Sequence, residues 1–255
     1  MKGTKIKNVK MNKMDKPSKK GRGLLITAAV VLLLAGVCVW YVNDYYHADA
    51  YVNAFLQSGE GVTVTHEDNI VFLDGEGTED ALIFYPGAKV EYTAYVPMFY
   101  ELAKQGVDCF VVKMPCNLAF FGMGKAADIM EEYSYENWYL SGHSLGGAMA
   151  ANYVAENGDN FAGLVLLAAY ATGELPEHLS VLSVYGSEDK VVNMDSVEAG
   201  RSYVPADYTE ICLEGGNHAW FAYYGEQEGD GTAHITRENQ QQKTVGEILN
   251  MIKKD

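Results

Sequence analysis

The stretch Gly142-His143-Ser144-Leu145-Gly146 decides the fold of this 255-residue chain. It fits the pattern G-x-S-x-G, in which a serine occupies a sharp turn between a strand and a helix. The apolar residues 138–140 before it are typical of a short buried strand, and the small residues after it favour a helix packed closely on a sheet. The alternative is a glycine-rich turn with an incidental serine. The strand and helix patterns on either side of the motif argue against that alternative.

After residue 61, strand and helix patterns alternate along the chain. Two short β patterns, at 62–65 and 70–73, predict an antiparallel hairpin at a sheet edge. Further strands are predicted at 81–85, 107–113, 138–141, 163–168, 181–185 and 207–213. Helices are predicted near 92–105, 122–132, 144–157, 194–203 and 237–252. This alternation indicates an α/β fold, with a mostly parallel sheet of about seven to eight strands flanked by helices.

Three polar residues follow predicted strands of this sheet. Ser144 follows the strand at 138–141, Asp189 lies in the loop after 181–185, and His218 lies in the loop after 207–213. Ligands of such sheets bind at the carboxyl ends of the strands, so these side chains are expected to share one site. Glu188 is the alternative acid to Asp189. His143 is expected to pack or to orient its neighbours, because on such a turn its side chain points away from that of Ser144.

Five stretches together resemble the α/β-hydrolase superfamily, and more narrowly its small bacterial "fold-5" members related to dienelactone hydrolases. The matching stretches are 84–90, 113–119, 142–148, 185–189 and 215–219. The resemblance implies a catalytic triad of Ser144, Asp189 and His218, which follow one another in the order usual for the superfamily.

The resemblance also implies how the triad would act. Ser144 would attack an acyl carbonyl, and the N–H groups of Leu145 and Ala88 would bind the oxyanion. Pro86-Gly87 stands where His-Gly is common in the superfamily, which leaves the identity of the second N–H donor open. The expected reaction is hydrolysis of a carboxylic ester through an acyl-enzyme, with a small-molecule acyl substrate and neither cofactor nor metal. Thioesterase, acyltransferase and peptidase activities use the same triad, and a non-catalytic membrane-tethered binding protein is the alternative of another class.

Only about a dozen residues separate the strands predicted at 163–168 and 181–185. Larger members of the superfamily insert a lid about here, so no lid insertion is expected in this chain. An open site is expected to favour small, soluble acyl esters, without activation at an interface.

The N-terminal part of the chain has a different composition from the rest. Residues 1–22 hold nine Lys or Arg and one Asp, a charge of +8, whereas the whole chain carries −15, so residues 23–255 carry −23. Residues 24–42 contain no charged side chain, and as a helix of 19 residues they would span about 28 Å, close to the hydrocarbon thickness of a bilayer. Aromatic residues at 40–46 fit the far interface. We therefore expect a membrane-spanning helix.

The basic residues before this helix predict a single-pass protein of the cell membrane with its catalytic domain outside the cytoplasm. The predicted parts are a basic cytoplasmic tail (1–22), a signal anchor (23–43), a helical juxtamembrane stalk (44–60) and a hydrolase domain (61–255). A cleaved signal peptide is the alternative, since Ala48-Asp49-Ala50 offers a cleavage site that would release the domain.

Composition argues against nucleic acid binding and against a disulfide framework or zinc site. The acidic domain lacks the clustered Lys and Arg that nucleic acid requires, so no nucleic acid partner is expected. The domain has three cysteines, Cys109, Cys116 and Cys212, which cannot all pair and form no C-x-x-C motif. They are expected to be buried free thiols.

Overall fold

The computed structural model describes residues 19–254 of the chain. Residues 1–18 of the predicted basic tail lie outside this range. The chain divides after Asn43 into two compact units, which are considered separately below.

The first unit is a single helix, α1 (Lys19–Asn43). Its part from Ile26 to Asn43 is long and apolar enough to cross a membrane, and none of that part is buried within the protein. A signal sequence near an N-terminus has the same properties, so α1 is a candidate for either role.

The second unit is built on an eight-stranded sheet in the order β1-β2-β4-β3-β5-β6-β7-β8. The strands are β1 (Thr63–Glu67), β2 (Ile70–Asp74), β3 (Asp80–Tyr85), β4 (Asp108–Val112), β5 (Asn137–His143), β6 (Gly163–Leu167), β7 (Ser180–Gly186) and β8 (Tyr208–Leu213). Strand β2 is antiparallel to both of its neighbours, and all other pairs are parallel. The predicted mostly parallel sheet is confirmed.

The helices of this unit flank both faces of the sheet. They are α2 (Val96–Ala103), α3 (Lys125–Glu132), α4 (Leu145–Asn157), α5 (Met194–Gly200) and α6 (Arg237–Ile252). Alternate residues of a strand face opposite sides, so each buried strand supplies two cores. In β3, Leu82 and Phe84 join the core beneath α2 and α6, whereas Ile83 joins the core beneath α4. This accounts for the unbroken apolar run of the strand.

The connection between β6 and β7 is short and carries no helix or strand. Residues 168–179 form it, and the expectation that no lid is inserted here is confirmed. The carboxyl ends of the central strands therefore lack a covering domain within the described part of the chain.

The segment predicted as a helical stalk is not a helix. Residues 44–49 are not helical, and a 3-10 helix follows at Ala50–Phe55. Tyr46 pairs with Val90 as a parallel bridge, and Val52 is buried in the core shared with α2. We call residues 44–55 the strap. The stalk prediction was wrong because these aromatic and apolar residues gain more from burial on the domain than from extending a solvated helix.

The cysteine prediction holds only in part. Cys109 on β4 is buried, but Cys116 and Cys212 are exposed. Cys212 lies on the edge strand β8, and Cys116 lies in a turn after β4 with a φ of 56°. All four cysteines are free thiols.

Candidate active site

Ser144 lies at the turn between β5 and α4 in a strained backbone conformation. Its φ is 52° and its ψ is −121°, a backbone conformation that residues other than glycine rarely adopt. Its N–H donates to the carbonyl of Leu167 on β6, 2.9 Å away. This turn holds Ser144 half-buried at the carboxyl edge of the sheet.

The glycines of the motif are required by close backbone contacts. A Cβ on Gly146 would lie 2.1 Å from the carbonyl oxygen of Tyr85, and one on Gly142 would lie 2.4 Å from the carbonyl carbon of Gly146. Both distances are far below a van der Waals contact. The turn can therefore form only with glycine at these two positions.

Asp189 and His218 meet in the loops that follow β7 and β8. His218 Nδ1 lies 2.8 Å from Asp189 Oδ2, and both side chains are buried. The other carboxylate oxygen accepts the N–H groups of Val191 and Val192, each at 2.8 Å. With Nδ1 donating to the carboxylate, Nε2 of a neutral His218 is left as an acceptor, which is the form that a general base needs.

Glu188, the alternative acid, has a different environment. Its carboxylate accepts from the hydroxyl of Ser187 at 3.2 Å, and its side chain is half-buried. Since Asp189 makes the hydrogen bond to the imidazole of His218, the geometry favours Asp189 as the partner of that histidine.

His143 connects the loop after β3 to the backbone of His218. Its Nε2 lies 3.1 Å from the carbonyl oxygen of His218, and its Nδ1 lies 2.8 Å from the hydroxyl of Tyr95. The same hydroxyl accepts the N–H of Gly87 at 3.1 Å. Because a carbonyl oxygen can only accept, Nε2 of His143 carries the proton and Nδ1 accepts from the hydroxyl of Tyr95. Each of these groups therefore has a hydrogen-bond partner.

The tautomer of His143 agrees with its surroundings. Burial, reinforced by the nearby imidazole of His218, lowers the pKa of His143 well below its usual value. The ring is therefore neutral at neutral pH. A packing or orienting role, as predicted for His143, fits these contacts.

The predicted oxyanion donors lie on either side of this network. Leu145 is the first residue of α4, where backbone N–H groups have no acceptor within the helix. In the loop after β3, Gly87 donates to Tyr95 and Lys89 donates to the carbonyl of Asn117. Within residues 19–254 the N–H of Ala88 makes no hydrogen bond, so it is the one in this loop that remains for a ligand.

His66 and His178 take no part in this network. Nε2 of His66 lies 2.9 Å from the carbonyl oxygen of Leu56, and Nε2 of His178 lies 3.3 Å from that of Gly158. In the described part of the chain, no cluster of three or more His, Cys, Asp or Glu side chains could hold a metal ion.

Two supporting residues were not predicted from sequence. Tyr95 reaches His143 from 48 residues away. Gln240, on α6, fixes the loop of His218 because its side-chain amide accepts the N–H of Asn217 and donates to the carbonyl of Asn217. Neither has a local sequence pattern that distinguishes it from a buried polar residue.

Comparison with known families identifies the fold independently. Residues 81–242 match the model of the alpha/beta hydrolase family. No curated protein sequence matches the chain significantly.

Several solved structures are similar at low sequence identity. A bacterial membrane phospholipase A, described as a novel virulence factor, is 13% identical with a TM-score of 0.57, covering 91% of this chain and 99% of its own. Est1E from Butyrivibrio proteoclasticus is 15% identical with a TM-score of 0.54, covering 76% of this chain and all of its own. FphF, a fluorophosphonate-binding serine hydrolase from Staphylococcus aureus, is 15% identical with a TM-score of 0.51, covering 75% and 97%. At these identities the likeness concerns the fold.

Proposed function

Since the chain belongs to the alpha/beta hydrolase family, we propose that it hydrolyses carboxylic esters of small acyl substrates through Ser144, His218 and Asp189. The observation that carries this proposal is the buried hydrogen bond between Asp189 and His218, on loops at the same sheet edge as the strained turn of Ser144. A solvated surface histidine would not need a buried carboxylate whose second oxygen is held by two backbone N–H groups.

In the proposed reaction, Ser144 attacks the carbonyl carbon of the ester while His218 takes its proton at Nε2. Collapse of the tetrahedral intermediate releases the alcohol, which receives that proton, and leaves an acyl group on Ser144. Water then attacks the acyl-enzyme with His218 again as base, and collapse breaks the bond to Ser144, which takes the proton from His218 as the carboxylic acid leaves. Asp189 stabilises the imidazolium that forms in both steps and remains ionised throughout.

The developing oxyanion would bind to the N–H groups of Leu145 and Ala88. The N-terminus of α4, a helix of 13 residues, adds a favourable dipole at Leu145. Donors that are already oriented before the substrate arrives stabilise the transition state more than the ground state.

The names of two similar structures agree with ester chemistry. One is named a phospholipase A, and FphF is named a serine hydrolase that binds fluorophosphonates. These names describe those proteins. Here they support the choice of a fluorophosphonate as the diagnostic reagent.

We further propose that α1 is an uncleaved anchor that keeps the catalytic domain at the outer face of the cell membrane. The strap supports this choice over cleavage after Ala50, because cleavage there would remove residues that are hydrogen-bonded to the domain. The N–H of Tyr46 donates to the carbonyl of Lys89, and the N–H of Asp49 donates to the carbonyl of Tyr223, both at 2.7 Å.

The proposed function is tested by labelling the chain with a fluorescent fluorophosphonate and by measuring hydrolysis of p-nitrophenyl acetate. We expect labelling of the wild type, no labelling of Ser144→Ala, and a loss of roughly 10⁴-fold in kcat for that variant. Ser202→Ala, which removes an exposed serine hydroxyl elsewhere, is the matched control and should behave as wild type. Labelling of Ser144→Ala, or retention by this variant of about a tenth of the wild-type activity, would contradict the assignment of Ser144.

A further inference from the structure

Phe120 and Phe121 are exposed side by side on a short turn after β4. Their side chains are 63% and 60% exposed, the highest values among the large apolar residues of the second unit. Their rings contact each other edge to face, with centroids 5.5 Å apart. We call residues 118–121 the aromatic turn. Two adjacent exposed phenylalanines are unfavourable in water and are typical of a surface that contacts an apolar phase.

The aromatic turn lies in a segment of the sequence that lacks acidic residues, although Asp44 and Asp128 pair with the nearby Lys89 and Lys125. Residues 109–127 contain no Asp or Glu and two Lys, in a chain whose residues 23–255 carry −23. Anionic lipids repel acidic surfaces and attract lysines. This stretch can therefore approach a bilayer more closely than an average part of the domain.

The strap brings the start of the domain to the same edge as the aromatic turn. Asp44 directly follows α1 in the chain, and its carboxylate pairs with Lys89 Nζ at 2.7 Å. Lys89 in turn donates its backbone N–H to the carbonyl of Asn117 at 2.8 Å, at the start of the aromatic turn. If α1 spans a bilayer, the covalent chain alone keeps Asp44, and with it this edge, near the lipid surface.

The aromatic turn is also close to the proposed catalytic machinery. It contacts α4, the helix that begins at Leu145, and its Ala119 is buried in the same core as Ala150. Lys89 directly follows the proposed oxyanion donor Ala88. A lipid surface that receives the aromatic turn would therefore also lie near the loop of Ala88.

We infer that the aromatic turn inserts into the bilayer that holds α1, and that the chain hydrolyses acyl esters of membrane lipids presented there. This inference rests on the proposed function and adds membrane lipid esters to the small acyl substrates proposed there. Soluble esters would still enter the open site directly, whereas lipid esters would depend on contact between the turn and the membrane.

The kinetic test uses the full chain reconstituted in vesicles of phosphatidylcholine and phosphatidylglycerol. The substrates are p-nitrophenyl acetate in solution and a fluorogenic diacylglycerophospholipid in the vesicle. For the double variant Phe120→Ser/Phe121→Ser we expect at least about a tenfold loss with the lipid and less than about a threefold change with the soluble ester. The matched control is Met194→Ser/Tyr203→Ser, which removes two exposed apolar side chains at and after α5 and should change neither rate.

A second measurement reports contact without relying on activity. In a Trp40→Phe background, in which Trp138 and Trp220 give a common baseline, the emission added by Phe120→Trp should be quenched by brominated lipids in the same vesicles, whereas that added by Met194→Trp should not. Equal quenching at both positions, or none at position 120, would overturn the inferred insertion.

The outcomes separate this inference from the proposed function. Equal losses of rate with both substrates in the Phe120→Ser/Phe121→Ser variant would show that the aromatic turn serves packing, and would overturn the inference. No loss of rate with either substrate would also overturn it. Hydrolysis of the soluble ester without hydrolysis of the lipid would overturn the substrate class and leave the proposed function standing. No hydrolysis and no fluorophosphonate labelling of the wild type would reject the proposed function itself, and the quenching result alone would then decide the membrane contact.

Discussion

Two neighbouring acids, Glu188 and Asp189, differ in their contacts with His218. Only Asp189 is hydrogen-bonded to the imidazole, and its carboxylate is fixed by two backbone N–H groups. We predict that Asp189→Asn lowers kcat for p-nitrophenyl acetate by roughly 10³–10⁴-fold, because an amide neither holds the required tautomer nor stabilises the imidazolium. Glu188→Gln should lower it less than about threefold. A reversed ranking of the two variants would assign the role to Glu188.

The hydrogen-bonded chain from Gly87 through Tyr95 and His143 to His218 joins the two loops of the proposed machinery. We predict that His143→Phe lowers kcat by about 10–100-fold, since it leaves the buried O–H of Tyr95 without an acceptor and the carbonyl of His218 without its donor. KM should change little, because the loops position groups for the transition state.

A control separates this positioning role from general destabilisation. Tyr95→Phe should have a smaller effect in the same direction as His143→Phe, because it keeps the hydrogen bond to His218. Tyr100→Phe removes a hydroxyl that donates to Gly59 and should leave kcat unchanged. Urea unfolding of each variant measures its stability. If kcat falls only in proportion to the folded fraction, His143 has no positioning role.

At the scale of elements, the strap joins the loop after β3 to the loop after His218. Tyr46 exchanges backbone hydrogen bonds with Lys89 and Glu91, and its ring lies 5.4 Å from that of Tyr224. We predict that a chain starting at Tyr51 is less stable than one starting at Asp44 by about 2–4 kcal/mol, from the loss of several backbone hydrogen bonds. Its kcat should also fall, because Lys89 adjoins Ala88. Equal stability and equal kcat in urea unfolding and ester assays would show that the strap is dispensable.

Strand β8 is held at the sheet edge by a polar cluster centred on Glu210. Its carboxylate accepts two hydrogen bonds from Arg201 and one each from the hydroxyls of Tyr185 and Tyr208. The hydrogen bonds from Arg201, opposed by burial, lower the pKa of Glu210 from 4.5 to about 2. A carboxylate with a lowered pKa stabilises the fold above its unfolded pKa, and this contribution is lost as the pH falls toward the folded value.

We therefore predict that Arg201→Met unfolds at lower urea concentration than wild type at pH 7. This difference should shrink as the pH falls from about 4.5 to about 2, because protonated Glu210 no longer benefits from the arginine. Lys104→Met, which removes the partner of the exposed Glu60, is the control and should differ little from wild type at any pH. A difference for Arg201→Met that persists at the acid end would point to lost packing rather than lost charge.

The contrast between predicted and observed elements follows from the range of the interactions. Strands such as β6 are buried on both faces, so their apolar runs suffice to predict them, and the turn of Ser144 follows from a local motif. The strap was missed because its contacts, Tyr46 with Val90 and Tyr51 with Tyr223, join residues far apart in sequence. The role of Tyr95 was missed for the same reason. The roles of Ser144, Asp189 and His218 stay predictions until the variants are measured.

At the scale of the whole molecule, charge is divided sharply along the chain. Residues 1–22 carry +8 and residues 23–255 carry −23, on either side of a helix that is a candidate membrane span. Basic residues next to a first apolar helix are retained in the cytoplasm during insertion, whereas acidic residues contribute little to the orientation. This distribution and the attachment of the strap favour the same arrangement, an anchored chain with the catalytic unit outside.

The exposed thiols of the catalytic unit provide a direct test of this orientation. Cys116 and Cys212 are exposed, whereas Cys109 is buried, so a membrane-impermeant maleimide should label the chain in intact spheroplasts. Cys116→Ser/Cys212→Ser should abolish that labelling, which controls for reaction at Cys38 within α1. Replacing Lys16, Lys19, Lys20 and Arg22 by Gln should reduce the labelled fraction, because it weakens the charge asymmetry that sets the orientation. Labelling of the parent chain only after lysis would place the catalytic unit in the cytoplasm. A labelled fragment in the medium that begins at Tyr51 would instead show cleavage after Ala50.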